Sequence, residues 1–221
     1  MWRRLSPILA IVVLAACGAG ADDSGLNPVP SSGADSPVAA VDELVEAINA
    51  PDFAGASRLA VPGQAALAAL AEGATFGEVA SSLSDGDQDV AANFWAGFAQ
   101  GTASFLAGDV SSVEDGTIEQ DGVSFHRVVV TPADGESRTL LVREDDGYRI
   151  DIFASFGPGL ADKMIGPTER LLNTQTGEAS LILNELQEIV PSLLASASLP
   201  GTSSEVSQQL IALIEVITRV G

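Results

Sequence analysis

Asp121-Gly122-Val123-Ser124-Phe125-His126-Arg127-Val128-Val129-Val130-Thr131-Pro132-Ala133-Asp134-Gly135 is the stretch that decides the fold. A nine-residue run rich in β-branched side chains stands between two Asp-Gly pairs, and Asp-Gly favours the positive φ angles of tight hairpin turns. The same punctuation recurs on either side, at Asp115-Gly116 and Asp146-Gly147. Strands are therefore predicted over 117–119, 123–131, 137–144 and 148–153, with a further one near 109–113. Connections this short join antiparallel neighbours, so the strands form a meander. In the last run Tyr148, Ile150 and Ile152 alternate with Arg149 and Asp151, which predicts a dry face and a wetter one, with Asp151 turned away from the core.

Upstream of the strands the period is helical. Ser36-Pro37 reads as an N-cap followed by proline in the first turn, and Val41, Leu44, Val45 and Ile48 fall on one face. Asp52 is placed to cap a second helix through Phe53, Ala56 and Leu59. After Val61-Pro62-Gly63 comes an alanine-rich helix over 64–72. A longer helix is predicted over 87–106, with Val90, Phe94, Phe98, Gly101 and Phe105 on one stripe and Trp95 and Leu106 beside it. Downstream, Phe156-Gly157-Pro158-Gly159 reads as a break, followed by short helices ending at Gly166-Pro167 and at Asn173. Leu181, Ile182, Leu186, Ile189, Val190, Leu193 and Leu194 then line a helix that Pro191 is placed to kink. Leu199-Pro200-Gly201 closes it, and a last helix carries Val206, Leu210, Leu213, Ile214, Ile217 and Val220. The fold class is α+β: N-terminal helices packed on an antiparallel meander sheet, followed by a C-terminal helical hairpin.

The first residues carry an address. Arg3 and Arg4 precede an apolar run from Leu5 to Ala16, which ends in Leu14-Ala15-Ala16-Cys17. Charged start, short apolar middle and small residues at the cut make a secretory signal. A run of twelve residues falls short of the roughly 20 that a membrane span needs. The stretch resembles the lipobox of bacterial lipoproteins. That resemblance implies a diacylglycerol linked to the Cys17 thiol, cleavage between Ala16 and Cys17, acylation of the new N-terminus with a fatty acid such as palmitate, and attachment to the extracytoplasmic face of the cell membrane. Cys17 is the only cysteine, so once acylated it leaves no thiol for a disulfide, catalysis or a metal. The chain divides into a signal peptide (1–16), a lipidated flexible tether rich in small and polar residues (17–36), an α+β domain (37–157) and a C-terminal helical region (158–221).

Thirty acidic residues against ten basic ones give a net charge of −20. Loss of Arg3 and Arg4 with the signal would deepen it to near −22, leaving Lys163 as the one lysine. Such a charge repels phosphate backbones, which excludes nucleic acid as a partner. Hydrophobic residues make up 46% but aromatic ones 5%, so the core is built from Ala, Val, Leu and Ile.

Residues 38–153 also resemble the nuclear transport factor 2-like superfamily. The likeness lies in the first helix and its Asp-containing turn, Val41-Asp42-Glu43-Leu44-Val45-Glu46-Ala47-Ile48-Asn49-Ala50-Pro51-Asp52-Phe53, and in the closing strand Gly147-Tyr148-Arg149-Ile150-Asp151. It implies helices filling the concave side of a curved sheet and, in the enzymatic branch, a general-base pair that here would be His126 and Asp151. The alanine-rich helix and the helical tail depart from that family.

His126 is the only histidine, and its neighbours read as those of a surface strand residue. Asp85, Asp87 and Asp89 alternate like the opening of a calcium loop, but Val90 and Ala96 stand where the glycine and bidentate glutamate belong. The three are expected instead to cap and complement the long helix. No metal or cofactor is called for. Phe94, Trp95, Phe98 and Phe105 are the candidate lining of a ligand cavity, and Gly97 and Gly101 are expected to pack closely against the sheet. The resulting reading is a lipid-anchored, non-enzymatic protein that binds a small apolar ligand or another envelope protein. One alternative is an enzyme of nuclear transport factor 2-like type using His126. The other is a structural envelope component that assembles with a partner or with itself through 177–220.

Overall fold

In the computed structural model, residues 33–86 and 89–219 are described. Cys17, Ala16 and the signal segment lie outside them, as does Asp87. These described residues fall within one compact unit.

Three of the four Asp-Gly pairs lie in the links between strands. Strands β1 (Val110–Gln120), β2 (Val123–Pro132), β3 (Arg138–Glu144) and β4 (Tyr148–Ile150) form one antiparallel sheet in the order 1-2-3-4. Asp121 and Gly122 both take positive φ, +50° and +80°, and so close a two-residue hairpin between Gln120 and Val123. The fourth pair, Asp115-Gly116, is not a turn. Glu114 faces Val128 and Thr117 faces His126, so two residues oppose Arg127 alone. The pair is a β-bulge inside one long strand, with Gly116 at φ +80°.

The ladders sort side chains onto two faces. His126, Val142 and Ile150 are in register, and with Val128, Val130 and Leu140 they line the face that enters the main core. Helix α1 (Pro37–Asn49) lies across that face and touches all four strands. As read from the sequence, Pro37 opens it and the Ser36 hydroxyl accepts from the Ala39 amide at 3.1 Å. Phe125 and Leu141 point to the other face, where they join Ala154 and Ala195 in a second, smaller core.

Asp52 caps α2 (Phe53–Leu59). The alanine-rich segment is a short helix, α3 (Gln64–Ala68), that tightens into a 3-10 turn over Ala69–Glu72. Then comes α4 (Phe76–Asp85), which the apolar pattern does not reveal because Val79 and Ala80 are its only buried residues. Asp85 is therefore the last residue of α4 and does not cap the helix that follows, α5 (Asp89–Leu106). Asp89 stands in the first turn of α5.

The largest departure from the sequence reading follows β4. The strand stops at Ile150, and Asp151 caps a 21-residue helix, α6 (Ile152–Leu172), so Ile152 and Phe153 are helical. The helix runs through Gly157-Pro158-Gly159 and through Pro167, past the boundary that the sequence suggests at 157/158. Each proline forfeits an intrahelical hydrogen bond. Burial on both sides of the helix (Phe153, Leu160, Ala161, Met164, Leu171) outweighs that loss. The tail then folds as α7 (Gly177–Glu188), a break at Ile189, α8 (Val190–Ala197) and α9 (Ser204–Thr218). This bent helical hairpin packs on α6, and α8 reaches β1. The end of the supposed tether is also tied down. Ala34 is buried and exchanges hydrogen bonds with Tyr148, 2.9 Å out and 2.8 Å back.

Candidate ligand-binding cleft

The catalytic pair suggested by the sequence does not form. His126 belongs to the main-core face of the sheet, whereas Asp151 follows Ile150 and its amide bonds to the Leu141 carbonyl, at the opposite parity. Each has its own partner. His126 Nδ1 lies 2.8 Å from Glu114 Oε1, and its ring sits edge-on to Tyr148 with centroids 5.3 Å apart. Asp151 is wholly buried, contrary to the outward aim predicted from strand alternation. Its Oδ1 accepts from the Ala154 amide at 2.9 Å, its Oδ2 accepts from Ser192 Oγ at 2.7 Å, and Arg143 Nη1 stands 3.5 Å from Oδ2. These bonds fix the start of α6 to α8 and β3; the carboxylate is structural.

A cleft of about 860 Å³ opens between α5, the start of β3, α6 and the loop that leads into α9. Three of the four aromatic candidates line it: Phe94, Phe98 and Phe105. Trp95 does not. It is fully buried, and its indole nitrogen donates to Ser57 Oγ at 2.9 Å, so it belongs to the core between α5 and α2. Two further residues that no local sequence pattern singles out complete the lining. Phe156, from α6, stacks edge-on against Phe98 with centroids 4.7 Å apart, and Arg138, from β3, holds its guanidinium 5.1 Å over the Phe105 ring.

Gly97 and Gly101 do not pack against the sheet. A Cβ at either position would meet nothing within 4 Å, and the same holds for Gly159 across the cleft. The three glycines line the cleft with bare backbone, and Phe98, Phe105 and Phe156 stand half-buried in it. At the rim Lys163 Nζ pairs with Glu72 Oε1 at 2.9 Å. The volume lies within the range of about 300–1,000 Å³ common for small-molecule sites.

A second hollow, about 620 Å³, lies between α1 and the start of β1 and is lined by Asp42, Glu46, Asn49 and Asp109. Among the described residues no group of three or more His, Cys, Asp or Glu side chains converges to hold a metal ion. Nor is any described helix long and apolar enough to cross a membrane.

The apolar stripes of the tail are spent within the chain. Leu186, Ile189, Leu193, Leu210, Leu213 and Ile217 are buried. Among the described residues of the tail, Ile211, 47% exposed, is the large apolar side chain turned outward.

Comparison with known proteins finds no significant match to this chain among family models, curated proteins or solved structures.

Proposed function

We propose that this chain is a lipid-anchored protein of the extracytoplasmic membrane face that binds a small apolar ligand in the α5–α6 cleft and performs no chemistry on it. One observation carries the binding reading: three half-buried phenylalanines, Phe98, Phe105 and Phe156, converge from two helices on a cleft that is also lined by Gly97, Gly101 and Gly159. The part of each aromatic ring still open to water is costly to hydrate, and a file of such rings in a concavity of this size is what an apolar ligand fills. The anchoring part rests on Arg3, Arg4, the apolar run and Leu14-Ala15-Ala16-Cys17. The two acid–base candidates, His126 and Asp151, are engaged elsewhere on opposite sides of the sheet.

Titration with the neutral fluorescent probe N-phenylnaphthylamine tests the binding reading. Saturable binding is expected, weakened about tenfold or more by Phe98→Ala and blocked by Gly101→Leu, which fills the cleft from an exposed helical position. Non-saturable binding, or binding indifferent to Gly101→Leu, would sink it.

A further inference from the structure

The cleft has a polarity along its length. Arg138 sits over Phe105 at 5.1 Å, Phe105 neighbours Phe156 at 6.3 Å, Phe156 meets Phe98 at 4.7 Å, and Phe98 meets Phe94 at 5.6 Å. A cation thus stands at one end of a continuous succession of aromatic rings. A cation–π contact of this kind uses none of the guanidinium's N–H groups as hydrogen-bond donors to other side chains, so they are left available. Arg58, Arg127, Arg143 and Lys163 are each held by a carboxylate, from Glu43, Asp115, Asp151 and Glu72. Arg138 makes no ion pair among the described residues, although Glu136 stands on the same rim.

Resting on the apolar-ligand reading above, we infer that the ligand is a single-chain amphiphile with an anionic head, a carboxylate or a phosphate monoester. Arg138 receives the head and the aromatic file receives the chain. The guanidinium fork matches either oxyanion with two parallel hydrogen bonds. The net charge of −20 selects against polyanions, whose many charges all feel the long-range field, whereas one head group is decided by its contact partner. Anchoring by an acyl chain would hold this cleft close to a bilayer, a source of such molecules.

Displacement of N-phenylnaphthylamine by dodecanoate, dodecyl phosphate and dodecanol separates the possibilities. The protein is the full chain carrying Cys17→Ser, which takes no acyl group of its own, in detergent-free buffer. At least one of the two anions is expected to displace the probe about tenfold more effectively than the alcohol, as a charge-assisted pair allows, and the better of the two identifies the head. In Arg138→Gln that advantage should vanish, and in Arg138→Lys it should return in part, with circular dichroism reporting the fold of each variant. If the alcohol competes as well as both anions, or if Arg138→Gln keeps the anion preference, the head-group assignment is wrong while the apolar cleft stands. If the probe itself does not bind, the apolar-ligand reading fails first and carries this one with it.

Discussion

Ser192 donates a 2.7 Å hydrogen bond to Asp151 Oδ2 from 41 residues away, and both residues are fully buried. This bond joins the end of the sheet and the start of α6 to the tail helix α8. A buried carboxylate that loses a donor keeps its desolvation cost, so Ser192→Ala should destabilise the fold by about 1.5–3 kcal/mol. Asp151→Ala should cost more, since it also removes the cap of α6 and leaves Arg143 without its carboxylate. Urea unfolding of the two single variants and the double variant checks this. Additive losses would show that the two residues are not coupled.

The pH response of α4 follows from its cap. Thr75 donates to Glu78 Oε2 from its hydroxyl at 2.7 Å and from its amide at 2.8 Å, while the Glu78 amide donates back to Thr75 Oγ1. These bonds, the side-chain one foremost, hold the Glu78 carboxyl below its ordinary 4.5. A lowered folded-state value means that the box is complete above 4.5 and is lost as pH falls through that lower value. The protection of the Thr75 and Glu78 amides, their exchange rate relative to that of an unstructured peptide at the same pH, should therefore fall on acidification, and Glu78→Gln should remove this loss of protection. A protection factor that stays constant through the acid range in the wild type would contradict the cap.

What the sequence discloses and what it hides divide along physical lines. Asp-Gly turns, the Ser36 and Asp52 caps and the stripe of α1 are local chemistry, and they are where the residues say they are. The bulge at Asp115-Gly116 uses the same positive φ as a turn, so the dipeptide alone does not tell the two apart. Asp151 misleads because an N-cap placed directly after a strand continues the alternation of that strand for two residues. The unbroken run of α6 through two prolines is tertiary packing overriding propensity, which no local pattern encodes. Helix α4 did leave a signal, the capping box Thr75-Phe76-Gly77-Glu78, ahead of too few large apolar residues to register as a stripe. For the cleft, the α5 aromatics were legible as a file. Phe156 and Arg138 join them only through the sheet and α6.

Cys17 gives a prediction that stands on sequence chemistry alone. Wild-type protein should incorporate a fatty-acid label and partition with membranes. Cys17→Ser should take up no label and accumulate as an uncut precursor or a released soluble form. An unlabelled wild type with membrane partition unchanged by the substitution would refute the lipobox reading.

Gly157 shows how the tail is fastened. A Cβ there would stand 3.1 Å from Leu210 Cδ2 on α9 and 3.1 Å from Ser196 Oγ on α8, so two tail helices close onto bare backbone in the middle of α6. Gly157→Ala therefore sets two effects against each other: alanine favours the helix by about 1 kcal/mol, and overpacking costs about 1–3 kcal/mol. With both neighbours buried and little room to yield, the overpacking should win and lower stability by up to about 2 kcal/mol. Because α6 is shared by the sheet and the tail, the described residues should also unfold in one transition, seen alike by far-ultraviolet circular dichroism and by Trp95 fluorescence once Trp2 is replaced. Cutting the chain after Gly157 removes the rest of α6 along with Leu160, Met164, Leu193 and Leu213, and it leaves Phe153 and Asp151 facing water. The remainder should lose its cooperative transition altogether. Two separate transitions in the intact chain, or a truncated protein that melts at the unchanged temperature, would show that the sheet and the tail are independent bodies.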